Sequence, residues 1–229
     1  MIKMAQEVFR IGTEKLDEYA HGYVYPKGGK RKWKRELEYV DPAGFDSIKA
    51  VAPLPHMRYN AGRRLMSAPF PRKLIKEGAK REIADFEQTE GFMLVSESFR
   101  RVVEAVEPDV HQFEPVEIMW KDGGLAARMY VFVICTELDS VSAEHTDGIR
   151  EEINFKLPDG RGTKIIPGPW MKTENETLRK AVFSLEAIQS HCLWQDGFFV
   201  GGPFCSDVFR NACEKAGVTG IVFSKQDAV

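Results

Sequence analysis

The chain has 229 residues, a mass of 26.0 kDa and a formal net charge of −2, from 32 Lys and Arg against 34 Asp and Glu. Its 15 Phe, 4 Trp and 6 Tyr can bury enough apolar surface to exclude disorder as the main state. The near-cancelling charges exclude a whole-protein basic field for nucleic acid.

The start, Met1-Ile2-Lys3-Met4-Ala5-Gln6-Glu7, carries charge too early for the apolar core of a secretory signal. The longest strongly apolar run, Met129 to Cys135, has seven residues, far short of the ~20 that span a bilayer. Cys135, Cys192, Cys205 and Cys213 form no C-x-x-C pair and fall in predicted strands and a helix, as suits reduced thiols. A cytoplasmic protein is expected, in which the sequon Asn175-Glu176-Thr177 carries no meaning.

Residues 1–83 give weak signals. Val8, Phe9 and Ile11 suggest a short strand. Six basic residues follow in the nine from Lys27 to Arg35, and Pro42, Pro53, Pro55, Pro69 and Pro71 break up any long element. An irregular N-terminal part packed on a core is expected here. In Lys73 to Gln88, the spacing of Leu74, Ile75, Ala79, Ile83 and Phe86 predicts a helix.

The pattern sharpens in residues 84–229. Phe92-Met93-Leu94-Val95 reads as a strand. Ser96 offers a cap hydroxyl, Glu97 suits the first helical turn, and Phe99, Val102, Val103 and Val106 form an i, i+3, i+4, i+7 stripe. Glu107-Pro108 stops the helix. The signature returns 110 residues later: Ser206, Asp207, then Phe209, Ala212, Cys213 and Ala216, with Gly217 as a C′ glycine before a strand from Gly220 to Phe223. Residues 96–113 and 206–223 share five identities in 18 columns, against about one expected from composition. Two equivalent strand–cap–helix units are expected.

Between them, Val116, Ile118 and Trp120 alternate with polar or flexible neighbours. Lys121-Asp122-Gly123-Gly124 turns into a long strand from Leu125 to Cys135, and Ile153, Phe155 and Leu157 alternate in another. Short strands are expected in Ala181 to Ile188, Cys192 to Trp194 and Phe198 to Val200. The fold class is α+β: a mixed or mostly antiparallel sheet with a few packed helices, one globular unit overall.

No phosphate-loop, dinucleotide, zincin or nucleophile-elbow motif is present. The Gly pairs at 28–29, 123–124 and 201–202 read as turns. His191, Cys192, Cys205 and Cys213 lack zinc-knuckle spacing, and Cys213 belongs to the apolar stripe. Glu144-His145-Thr146-Asp147 reads as a solvated loop with no nucleophile beside it. His56 and His111 stand alone; His111, at a helix-to-strand junction, is placed to satisfy local backbone. No catalytic residue, cofactor or metal is therefore assigned. Lys30, Arg31, Lys32, Trp33, Lys34 and Arg35, with Lys27, form the one sharp charge feature. They read either as a stacking and electrostatic patch for RNA, phosphate or an acidic protein face, or as a solvated loop. Arg63-Arg64 is similarly ambiguous.

Three segments carry a resemblance. They are Asp85-Phe86 through Gly91 to Phe99; Tyr130-Val131-Phe132-Val133-Ile134 to Leu138-Asp139; and Phe199 through Ser206-Asp207 to Ala216-Gly217-Val218-Thr219-Gly220-Ile221-Val222-Phe223. Together they resemble an immunity-protein family of bacterial polymorphic toxin systems, over roughly residues 84 to 223 and most closely in the last segment. Gly201-Gly202-Pro203 departs from the family pattern like an insertion. The resemblance implies an antitoxin that binds a cognate toxin delivered by a contact-dependent or type VI apparatus and converts no substrate. Its partner would be that toxin, neither membrane nor nucleic acid, with Lys30 to Arg35 as the candidate partner-binding residues. An enzyme or binding protein that holds a nucleotide or phosphate through residues 27–35 is the alternative.

Overall fold

Strands hold more of the described residues than helices do. The computed structural model describes residues 5–13, 23–24, 61–66, 70–77, 83–89, 92–156, 163–173, 176–178, 180–199 and 201–229. Its strands are β1 (Val8–Thr13), β2 (Tyr23–Val24), β3 (Lys73–Lys76), β4 (Phe86–Gln88), β5 (Met93–Val95), β6 (Gln112–Met119), β7 (Leu125–Val133), β8 (Glu137–Leu138), β9 (Glu152–Lys156), β10 (Thr163–Pro167), β11 (Met171–Thr173), β12 (Glu176–Thr177), β13 (Val182–Phe183), β14 (Leu193–Asp196), β15 (Phe204–Ser206) and β16 (Ile221–Ala228). The helices among the described residues are α1 (Glu97–Val106), α2 (Leu185–Ile188) and α3 (Asp207–Ala216). The fold is α+β with mixed sheets. One six-stranded sheet runs β2-β3-β6-β7-β5-β4, the other β13-β16-β1-β15-β14-β8.

The expected helix over Lys73 to Gln88 does not form. Leu74 and Lys76 are buried while Lys73 is exposed and Ile75 half-buried, a period of two. This segment adds in parallel to β6, and Phe86–Gln88 pairs with β5. Pairing with a buried neighbour outweighs the helical spacing of the apolar residues. Only Val182–Phe183 of the expected strand over 181–188 is extended. Ser184 then caps α2, its Oγ accepting the Ala187 N–H at 3.3 Å. Phe198 and Phe199 lie in a bend rather than a strand, because Asp196 Oδ1 accepts both their N–H groups at 2.9 and 2.7 Å; Val200 lies outside the described residues.

The two-unit reading extends to five strands of each sheet. The first sheet pairs β4 with β5, β5 with β7 and β7 with β6, all antiparallel, then β6 with β3 in parallel. The second pairs β14 with β15, β15 with β1 and β1 with β16, all antiparallel, then β16 with β13 in parallel. The same pattern is built twice, and β1 from the start of the chain takes the place of β7. Register agrees: Phe113 faces Phe132 and Val95 faces Tyr130, as Phe223 faces Ile11 and Cys205 faces Phe9. Side chains agree too. Arg100 lies over the Tyr130 ring at 5.0 Å, Arg210 over Phe9 at 4.5 Å. Lys73–Glu117 at 3.2 Å is matched by Lys180–Asp227 at 3.0 Å. Phe86 pairs with Val95 nine positions on (95 − 86), and Leu193 with Cys205 twelve on (205 − 193). The extra three residues match the insertion read at Gly201-Gly202-Pro203.

Exchanging the roles of β7 and β1 should therefore be tolerated. A permuted chain that joins Val229 to Ala5 through a short Gly-Ser linker and opens at the exposed turn Gly123–Gly124 is expected to melt cooperatively. A permutant with no cooperative transition would contradict the equivalence of these strands.

Two apolar clusters fill the molecule. Phe99 and Phe209, both fully buried, meet edge-to-face at 5.8 Å and join α1 to α3. Around them lie Phe86, Phe132, Leu94, Val103, Phe9, Ile11, Cys205 and Cys213. Alternate residues of the second sheet supply the other cluster: Val8, Trp194, Phe204 and Phe183, with Trp170, Phe198 and Phe199. Period-two alternation thus splits one sheet between two cores.

Candidate functional site

The partner-binding candidates Lys30, Arg31, Lys32, Trp33, Lys34 and Arg35 lie outside the described residues, as does His56. The remaining polar candidates prove to be occupied in holding the fold. Arg63 Nε donates to Glu137 at 2.7 Å, and Arg64 donates to the Asp109 and Val110 carbonyls at 3.2 Å. The loop Glu144 to Asp147 does not converge. Thr146 turns inward and exchanges hydrogen bonds with the Val182 backbone, while exposed His145 lies 3.0 Å from Ser142 Oγ.

The four cysteines are free. Burial pushes the Cys135 and Cys192 thiols up to about 11 and Cys213 to about 12, and raises Cys205 well above its ordinary value. These thiols stay protonated near neutrality and are poor nucleophiles and ligands. Among the described residues, no group of three or more His, Cys, Asp and Glu could hold a metal ion.

The motif residues meet at one knot between the two units. Ser96 caps α1, its Oγ accepting the Phe99 N–H at 3.2 Å, and donates to Asp85 at 2.6 Å. The other Asp85 oxygen accepts from the Thr219 N–H and hydroxyl at 3.0 and 2.9 Å. Gly217 ends α3 in the left-handed region, and Val218 N–H reaches the Cys213 carbonyl at 3.1 Å. Gly220 has φ +79°, and a Cβ there would collide with the Phe86 carbonyl and Ala84. The Ala-Gly-x-Thr-Gly ending is thus a helix stop, a carboxylate clasp and a close backbone approach. Ser206 takes extended cap geometry but makes no side-chain cap bond; the backbone N–H of α3's first residue, Asp207, goes to the Glu7 carbonyl instead.

Burial raises the Asp85 pKa, but the hydrogen bonds from Ser96 and Thr219 outweigh it and hold the carboxyl below its ordinary 3.8. A depressed folded pKa contributes stability above the unfolded value, and that stability is lost as pH falls through the folded one. Asp85→Asn is therefore expected to cost stability at neutral pH and to flatten the decline in wild-type stability below about pH 4, measured by urea unfolding. An unchanged acid slope would count against the clasp.

Three buried polar groups that sequence reasoning missed tie distant segments together. Glu107 accepts the Cys192 and Leu193 N–H groups at 2.8 and 3.0 Å and lies 2.8 Å from His111 Nε2. His111 Nδ1 accepts the Cys135 N–H at 3.1 Å, which puts the ring proton on Nε2, facing the carboxylate. His111 therefore satisfies remote backbone, not the local backbone its position suggested. Asp196 accepts from Ser140 N–H and Oγ besides Phe198 and Phe199. Lys76 and Glu87 form a buried ion pair at 2.9 Å. Most of the donors to Glu107 and Asp196 lie 50 or more positions away, and Lys76 and Glu87 fall on a segment read as helix, so local patterns do not mark these groups as clasps.

The exposed large apolar residues include Ile165, Leu125, Met66, Ile149 and Val110. No helix among the described residues is long and apolar enough to cross a membrane. Among curated proteins the chain has no match. The immunity protein family Imm11 matches it over residues 31–228, nearly its whole length and well beyond the segments that carry the resemblance, and the chain belongs to that family.

Proposed function

We propose that this protein neutralises a cognate secreted bacterial toxin in the cytoplasm by stoichiometric binding, with no chemistry of its own. Membership of the immunity family carries the reading. The spending of the described buried polar groups on internal clasps supports it, since a binder needs a firm scaffold and an exposed face. A specific interface of this kind buries about 1,600 Å², with a few aromatic and Arg anchors dominating the energy. The basic residues Lys30 to Arg35 are a candidate part of that face.

Co-expression with the toxin encoded beside this gene is expected to restore growth of a host that the toxin alone arrests. Failure to protect against any adjacent secreted effector would refute the proposal.

A further inference from the structure

We propose that the buried Lys76–Glu87 ion pair is a latch across the open side of the first sheet, and that the first unit opens there on its own while the second stays shut. This holds whatever the chain binds.

Topology and contact together demand a curl. In the first sheet β6, β7 and β5 stand between β3 and β4. Four steps of strand spacing put β3 and β4 about 19 Å apart in a flat sheet, farther than two side chains reach. Yet Lys76 Nζ donates to both Glu87 oxygens at 2.9 Å. The sheet therefore rolls until its outer strands face each other across its inner surface. On that surface Leu74 lies opposite Ile118, Val131 opposite Leu94 and Leu94 opposite Glu87, all of them buried.

The second sheet curls the same way but closes on rings. Phe183 stands where Leu74 does, opposite Ala228 as Leu74 is opposite Ile118. Trp194 stands where Glu87 does, opposite Phe204 as Glu87 is opposite Leu94. Phe183 on β13 meets Phe204, three strands away on β15, at 4.7 Å between ring centroids, and Trp194 meets the same ring at 6.1 Å. Leu185, two positions past Phe183 as Lys76 is past Leu74, packs on this cluster too. The same closure is thus built once from charge and once from hydrocarbon.

The two materials respond differently to water. Opening the second unit exposes aromatic surface. Opening the first returns two desolvated ions to water, and their hydration offsets much of the attraction lost. An ion pair at this position therefore lowers the cost of the opened state relative to an apolar pair of similar size. Ala84 N–H also donates to Glu87 at 3.1 Å, so the chain that crosses between the two strands is tied to the same latch.

Native-state hydrogen exchange on the full chain, followed by NMR in low concentrations of urea, tests the latch. The amides of β3 and β4 are expected to exchange together, with protection factors at least about tenfold below those of β14 and β15. Lys76→Met/Glu87→Leu is expected to raise protection in β3 and β4 at least about tenfold and to leave β14 and β15 within about twofold. Lys76→Met alone, which strands the Glu87 carboxylate, is expected to lower protection in β3 and β4. Exchange of both units of the unaltered chain at one common rate, through global unfolding, would overturn the proposal. So would a double variant that leaves β3 and β4 no better protected than in the wild type. A double variant that fails to fold also counts against the latch, because an apolar pair then cannot replace the ions.

Discussion

Phe99→Ala is expected to lower the unfolding free energy by on the order of 3–5 kcal/mol, and Phe209→Ala by a similar amount. Both rings are fully buried. Phe99 touches Phe86 and Phe132 at centroid distances of 5.4 Å and Phe209 at 5.8 Å, so its removal leaves a cavity where both units meet. At this chain length the loss corresponds to a fall of about 6–20 °C in the thermal midpoint. Because the two rings touch, the double variant should cost less than the sum of the singles, by about 0.5–1.5 kcal/mol. Urea unfolding of the two singles and the double tests this. A cost below about 1 kcal/mol at either position would contradict their role as paired anchors.

Glu107→Ala should be nearly as damaging. It strands three buried donors: the Cys192 and Leu193 N–H groups and His111 Nε2–H. An unpaired buried donor costs about 1–3 kcal/mol, so a total on the order of 3–5 kcal/mol is expected, eased by any water that enters. Glu107→Gln keeps one acceptor oxygen and should cost less than half as much. The ordering Ala worse than Gln, read from urea midpoints, is the check. Equal and small losses would mean that α1, β14 and the turn before β6 hold together without this carboxylate.

Local chemistry made part of this fold readable. Ser96 followed by Glu97 and a Phe99-Val102-Val103 stripe is a cap and a face within one short segment, and α1 starts and buries as the pattern predicts. Gly217 likewise ends α3. The 110-residue echo pointed to two units because caps and stripes are local. What escaped depends on long-range pairing. Val8–Thr13 is legible as a strand, but nothing in VFRIGT says that it inserts between β15 and β16, about 200 residues away. Leu74 and Ile75 fit a helix as well as a strand until β6 lies alongside. The Asp85–Thr219 clasp spans 134 positions. The motif residues that carried the resemblance could be recognised, but their work became visible only in space. Of the candidate site, the basic segment was legible as charge alone.

The antitoxin account turns on stoichiometry. Toxin activity should be titrated with increasing amounts of this protein at concentrations well above their dissociation constant. The account predicts a linear loss of activity that ends at one chain per toxin, with the toxin recovered chemically unchanged after the complex is denatured. Complete inactivation by a small fraction of an equivalent, or a covalent change in the recovered toxin, would contradict it.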